Sequence, residues 1–154
     1  LQQNEPEDYV IGTGESHSVR EFVEQAFKYV GIEIAWEGKG IKERGIVKSV
    51  RLEAPHDSRF TFSPRPGDVI IEIDSRYFRP TEVEHLQADI KKARRKLLWE
   101  PRVTFEDLIK IMVDYDLKLA GLKPVGEGIK ISINKGFSYT NHNFSFHEIS
   151  KEEE

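Results

Sequence analysis

The 154-residue sequence contains no cysteine, which excludes disulfides, thiolate nucleophiles and cysteine-ligated zinc. A reducing compartment suits such a chain, and the cytoplasm is the expected location. No apolar run approaches the roughly 20 residues of a membrane-spanning helix. The opening Leu-Gln-Gln-Asn-Glu-Pro-Glu-Asp has none of the build of a signal peptide. An excess of positive charge is also lacking: 23 Lys and Arg stand against 27 Asp and Glu, a net charge of -4, so neither nucleic acid nor a membrane is an expected partner. No Gly-x-Gly-x-x-Gly or Gly-x-x-Gly-x-x-Gly follows a strand, and no Tyr-x-x-x-Lys pair occurs. The chain therefore offers neither a dinucleotide cradle nor that acid/base pair. Gly12-Thr13-Gly14 holds only part of such a loop and reads as a tight turn. His17, His56, His85, His142 and His147 are scattered without an i, i+4 histidine pair, so no metal site is expected.

What remains is the composition of a globular domain, 38% hydrophobic and 32% charged. Tyr9 to Ile11 is β-prone. Ser18 stands at an N-cap position with Glu21 three residues on. Phe22, Val23, Ala26, Phe27 and Val30 recur at spacings of three and four, which predicts a helix over 18–30 stopped by Gly31. Ile32 to Trp36 alternates as a strand. A long excursion from 37 to 66 carries scattered glycines and prolines, with one strand at Ile46 to Val50. Asp68 to Ile73 reads as a strand covered on both faces. Asp89 then caps a helix over 90–98, and Thr104 caps another over 104–119 with Phe105, Leu108, Ile109, Met112 and Leu119 as its apolar stripe. Past Gly121 the alternation of Ile129, Ile131 and Ile133 predicts a weak hairpin or a loose tail. These elements predict an α/β fold, with helices on short strands near 9–12, 32–36 and 68–73, and with exposed apolar surface left over.

Two segments invite a functional reading. The cluster Lys91, Lys92, Arg94, Arg95 and Lys96 falls on a helix, where a solvated face is the default. The run from 77 to 101, YFRPTEVEHLQADIKKARRKLLWEP, is more specific. It resembles the extended short-chain dehydrogenase/reductases that act on nucleotide sugars, which carry Arg-Pro-x-Glu/Asp, then a small residue and Asp at a helix start, then Lys-Leu-Gly-Trp-x-Pro. Here these are Arg79 to Glu82, Ala88-Asp89 and Lys96 to Pro101, with Leu98 in place of the usual glycine. Within that group YFRPTEVE, LQQNEPEDYVIGTGESHSVREFVEQAF, GIEIAWEGKG, ERGIV and PGDVIIEID resemble the GDP-mannose 4,6-dehydratases.

The resemblance implies an α/β, small carboxy-terminal substrate-binding lobe with the Rossmann domain missing. The nucleotide-sugar-binding lobe would span 1–120 and include the loop 37–66, with 121–154 a tail. It implies that NADP and the catalytic Thr, Glu, Tyr and Lys belong to the absent part, that this fragment alone is inactive, and that the intact protein is a homo-oligomer acting on GDP-mannose. No catalytic residue is expected in the chain itself. Arg79, presented rigidly by the proline after it, is the candidate for the diphosphate, because a guanidinium makes paired charge-assisted bonds. Glu82 is the candidate for the ribose hydroxyls. From residue types alone the favoured reading is that the two pair with each other or cap a turn, and the family pattern reverses that preference. Other readings are a related epimerase, decarboxylase or dehydratase of other nucleotide sugars, or a non-catalytic truncated module.

Overall fold

The computed structural model describes residues 3–51, 63–79 and 86–136. Among these residues it mixes helices with one antiparallel sheet. In chain order the elements are α1 Val19–Tyr29, β1 Ile32–Glu37, β2 Arg44–Val50, β3 Val69–Glu72, α2 Lys91–Leu97, α3 Phe105–Leu119 and α4 Glu127–Asn134, with the sheet ordered β1-β2-β3.

The helix starts follow from local chemistry. The Ser18 hydroxyl accepts the Glu21 amide at 3.0 Å, a cap worth about 1 kcal/mol. The Glu21 carboxylate does not reach back to complete a box; it bonds His17 and Gln25. At α3 the box is complete, with the Thr104 hydroxyl accepting from the Asp107 amide at 3.1 Å and the Asp107 carboxylate accepting from the Thr104 amide at 3.3 Å. Asp89 serves α2 from one position further out than expected, taking the Lys91 amide at 3.0 Å while Ile90 occupies the cap. That helix ends at Leu98, whose φ of 51° makes it the one non-glycine residue of left-handed backbone among those described.

The excursion from 37 to 66 holds the central strand of the sheet. A short 3-10 turn at Gly40–Lys42 follows β1, and β2 begins at Arg44, earlier than the expected Ile46. It pairs antiparallel with β1 from Glu37↔Arg44 to Ile32↔Val50, and with β3 at Arg44↔Glu72, Gly45↔Ile71 and Ile46↔Val69. Gly67 turns the chain into β3, its amide donating to the Val47 carbonyl at 2.8 Å while the Val47 amide returns a bond to the Asp68 carbonyl at 2.9 Å. Among the described residues β3 is an edge strand. Val69 is 43% exposed, which corrects the expectation of a strand buried on both faces.

Three further expectations are corrected. Tyr9–Ile11 forms no strand, because β propensity is realised only against a partner, and this segment is held by side chains of α2 instead. The Lys92 ammonium donates to the Asp8 carbonyl at 2.8 Å and lies 4.9 Å from the Tyr9 ring centre. The isoleucine alternation past Gly121 is carried by a helix, α4, and not by a hairpin. In α3 only part of the anticipated stripe meets the core: Ile109 is fully buried while Leu108, Met112 and Leu119 remain exposed.

The core is small. Its buried apolar side chains among the described residues are Ile32, Val47, Ile90, Ala93 and Ile109. The helical part is tied by a polar network in its place. Asp114 of α3, fully buried, accepts the Gly126 amide at 2.9 and 3.1 Å and the Ile129 amide at 3.1 Å, so it caps α4 from another helix. The Tyr29 hydroxyl of α1 donates to Asp114 at 3.1 Å and accepts from the Glu127 and Gly128 amides at 3.1 and 3.2 Å. These bonds satisfy the amides that any helix start leaves unpaired.

Candidate functional site

The segment after β3 is shaped by one tight turn. The Tyr77 amide donates to the Asp74 carbonyl at 3.0 Å, and the Asp74 carboxylate takes the Arg76 amide at 2.9 Å and its guanidinium through bonds of 2.6 to 3.2 Å. The Arg76 side chain holds the Asp74 carboxyl below its ordinary range, and Asp74 raises Arg76 in return. Arg76 is thus spent on the turn, and its guanidinium lies 5.5 Å from the centre of the Tyr77 ring. Beyond the turn the chain exposes Tyr77, Phe78 and Arg79 in succession. Arg79, the sequence candidate for a phosphate, is therefore on the surface, directly after two exposed aromatic side chains. Glu82 lies outside the described residues.

A second concave region forms where the chain's first loop meets the approach to α2. Gly12 sits so close to Ala88 that a side chain there would meet the Ala88 methyl at 2.8 Å, and the Gln87 amide donates to the Gly14 carbonyl. The open cavity between them, about 450 Å³, is lined by Thr13, Glu15, Gln87, Asp89, Lys91 and Arg94 among others. Two other members of the basic cluster are committed elsewhere. Lys92 and Lys96 bridge Glu7 at 3.1 and 2.5 Å and hold its carboxyl below the ordinary range, Lys96 most strongly. The cluster clasps the start of the chain, a role that spacing alone did not disclose.

Sequence reading also missed His17. Its Nδ1 lies 3.0 Å from Glu21 and its Nε2 3.3 Å from Glu15, while its ring stacks on Phe105 at 3.8 Å and 2°. The i, i+4 spacing of His17 and Glu21 across the Ser18 cap was the available signal. Among the described residues no group of three or more His, Asp or Glu could hold a metal ion, and no helix is long and apolar enough to cross a membrane.

Among the described residues, helices packed on a small antiparallel sheet, with an exposed aromatic-arginine segment following its last strand, define a mixed helix-and-sheet lobe. The family is specific. The model for GDP-mannose 4,6 dehydratase matches residues 1–112, and the chain belongs to that family. It is 45% identical over 124 residues to the GDP-mannose 4,6 dehydratase of Homo sapiens, covering 80% of this chain and 29% of that protein. The Drosophila melanogaster protein of the same name is 45% identical over 125 residues, covering 81% and 28%. The Vibrio cholerae GDP-mannose 4,6-dehydratase is 42% identical over 138 residues, covering 86% and 35%. The chain thus spans about a third of the length of the curated relatives it matches.

Proposed function

We propose that this chain is the substrate-side lobe of a GDP-mannose 4,6-dehydratase, a lyase that, when whole, converts GDP-mannose to GDP-4-keto-6-deoxymannose and assembles as a homo-oligomer. The observation that carries the reading is the family match over residues 1–112, which includes the segment presenting Arg79. In this proposal Arg79 grips the diphosphate and Glu82 accepts from the ribose hydroxyls. The exposure of Arg79 beyond the Asp74–Arg76 turn supports the first role, because the turn fixes where the segment departs.

NADP does not fit the residues of this chain. The Gly12-Thr13-Gly14 turn lacks a third glycine, the Gly14 carbonyl is taken by Gln87, and Ala88 presses on Gly12. In the proposal the cofactor is held by the part of the family protein outside this chain. The chain alone then neither turns over GDP-mannose nor binds NADP, and measured turnover by the pure chain would refute the assignment.

The test of Arg79 belongs in the full-length protein. Arg79→Ala is expected to weaken transition-state binding by about 1.5 to 3 kcal/mol, with much of the loss as raised KM. Arg79→Lys should recover only part, since an ammonium makes no planar fork. Glu82→Gln should harm less than Glu82→Ala, because an amide oxygen still accepts. An Arg79→Ala protein of unchanged circular dichroism and of kcat/KM within about twofold of the parent would refute the role.

A further inference from the structure

The two nitrogens of the His17 ring each face a carboxylate oxygen, Glu21 on Nδ1 at 3.0 Å and Glu15 on Nε2 at 3.3 Å. An ionised carboxylate only accepts, and a neutral imidazole carries one N–H, so the arrangement is satisfied in full only by the doubly protonated ring. The surroundings agree. The ring lies flat on Phe105 at 3.8 Å, a π face that attracts a cation, and Phe105 in turn tilts against Phe22 at 6.3 Å. The side chain keeps about a quarter of its surface (26%) open to water, so protons reach it without unfolding.

The partners belong to three separate pieces of the fold. Glu15 is on the loop that lines the 450 Å³ cavity with Thr13 and Gly14. Glu21 is in the first turn of α1, and Phe105 opens α3. The other acids of that first turn of α3 are engaged away from the ring, Glu106 with Lys110 at 2.9 Å and Asp107 with the Thr104 amide. Among the described residues Glu15 and Glu21 are therefore the charges that face it, with the positive starts of α1 and α3 as a modest counterweight.

We propose that His17 is a proton-operated latch: protonated, it ties the Thr13–Glu15 loop to the starts of α1 and α3; neutral, it keeps Glu21 and releases Glu15. The order of release follows from geometry. Glu21 is the nearer acceptor and is held four residues away on the same turn, so the single proton of a neutral ring stays on Nδ1. The Nε2 lone pair then faces the Glu15 carboxylate, and that contact turns from attractive to repulsive. The wall of the cavity that Glu15 forms is thereby free to move as pH rises. The ring's pKa is raised above the ordinary 6.5, chiefly by its bond to Glu21 and further by Glu15, against an opposing effect of burial. The closed latch is accordingly complete below pH 6.5 and is lost as pH climbs through the raised value.

The test is an NMR titration of the chain, following the His17 ring and the amides of Thr13, Gly14 and Glu15 together. The expected result is a His17 midpoint above 6.5, with the three loop amides shifting at the same midpoint. Glu21→Gln should lower that midpoint. Glu15→Gln is the sharper variant, because its amide can accept from a protonated Nε2 or donate to a neutral one. It should hold the loop closed at both extremes and abolish the pH dependence of the Thr13 and Gly14 amides while His17 still titrates. The latch is overturned if His17 titrates at or below 6.5, if the loop amides ignore its midpoint, or if Glu15→Gln leaves their pH dependence intact. Both replaced acids are surface side chains, and the amide spectrum itself reports whether each variant is folded.

Discussion

The phenol of Tyr29 and the carboxylate of Asp114, 85 positions apart in sequence, share a hydrogen bond of 3.1 Å, and between them they take four backbone amides at the start of α4. One buried carboxylate and one hydroxyl thus join α1, α3 and α4. Asp114→Ala would leave the Gly126 and Ile129 amides and the Tyr29 hydroxyl without their acceptor, a loss on the order of 3 kcal/mol. Tyr29→Phe removes the acceptor of two amides and should lose about 1 to 2 kcal/mol. Urea denaturation of the two variants checks the order, and an Asp114→Ala protein as stable as the parent would exclude the network as a source of stability.

The same pair predicts an alkaline transition. Burial first, then the Asp114 charge, raises the Tyr29 phenol from 10.0 to about 12, while the amides of Gly128 and Glu127 pull the other way. The folded pKa lies above the unfolded one, so the contribution is complete below pH 10 and fades as pH rises from 10 towards 12. Phenolate absorbance should show one tyrosine ionising after the others, and Tyr29→Phe should remove that last step.

At the end of α2 an exposed leucine occupies backbone that suits glycine. Leu98 has φ 51° and is 86% exposed, so its side chain contributes little packing while its Cβ crowds the carbonyl. Leu98→Gly should raise stability by about 0.5 to 1 kcal/mol, against the usual direction of a substitution to glycine. A fall in thermal midpoint would show that the leucine has a partner outweighing the strain.

Where α4 crosses α3, Gly128 lets the two backbones meet. A methyl group there would overlap the Lys110 carbonyl, so Gly128→Ala should separate the helices and lose about 1 to 3 kcal/mol. Gly126→Ala meets no atom and should cost less, only the strain of a residue at φ 102°. Equal effects of the two substitutions would contradict the close approach.

Features governed by neighbours in sequence were legible. Ser18 and Thr104 announced their helices because a cap needs only a hydroxyl and an amide three residues away, and Gly31, of positive φ, marked the end of the first. Features governed by distant partners were not. Ile129, Ile131 and Ile133 alternate as a strand would, yet the segment is helical because Asp114 and Tyr29 supply its cap from far off in sequence. Tyr9–Ile11 has the composition of a strand and, among the described residues, pairs with none. Arg79 became a candidate through a motif, whereas the contacts of His17 were missed because its two acids and its aromatic partner converge only in the folded chain.

The family match ends at residue 112, two residues before the carboxylate that fastens the helices together. The limit of the family model's match is therefore not a limit of foldability in this chain. A protein trimmed to residues 1–112 would keep the Arg79 segment and every described strand, yet it would sever α3 halfway, discard α4 and remove the amides from which the Tyr29 hydroxyl accepts. The stretch that carries Arg79 depends for its cohesion on residues beyond 112.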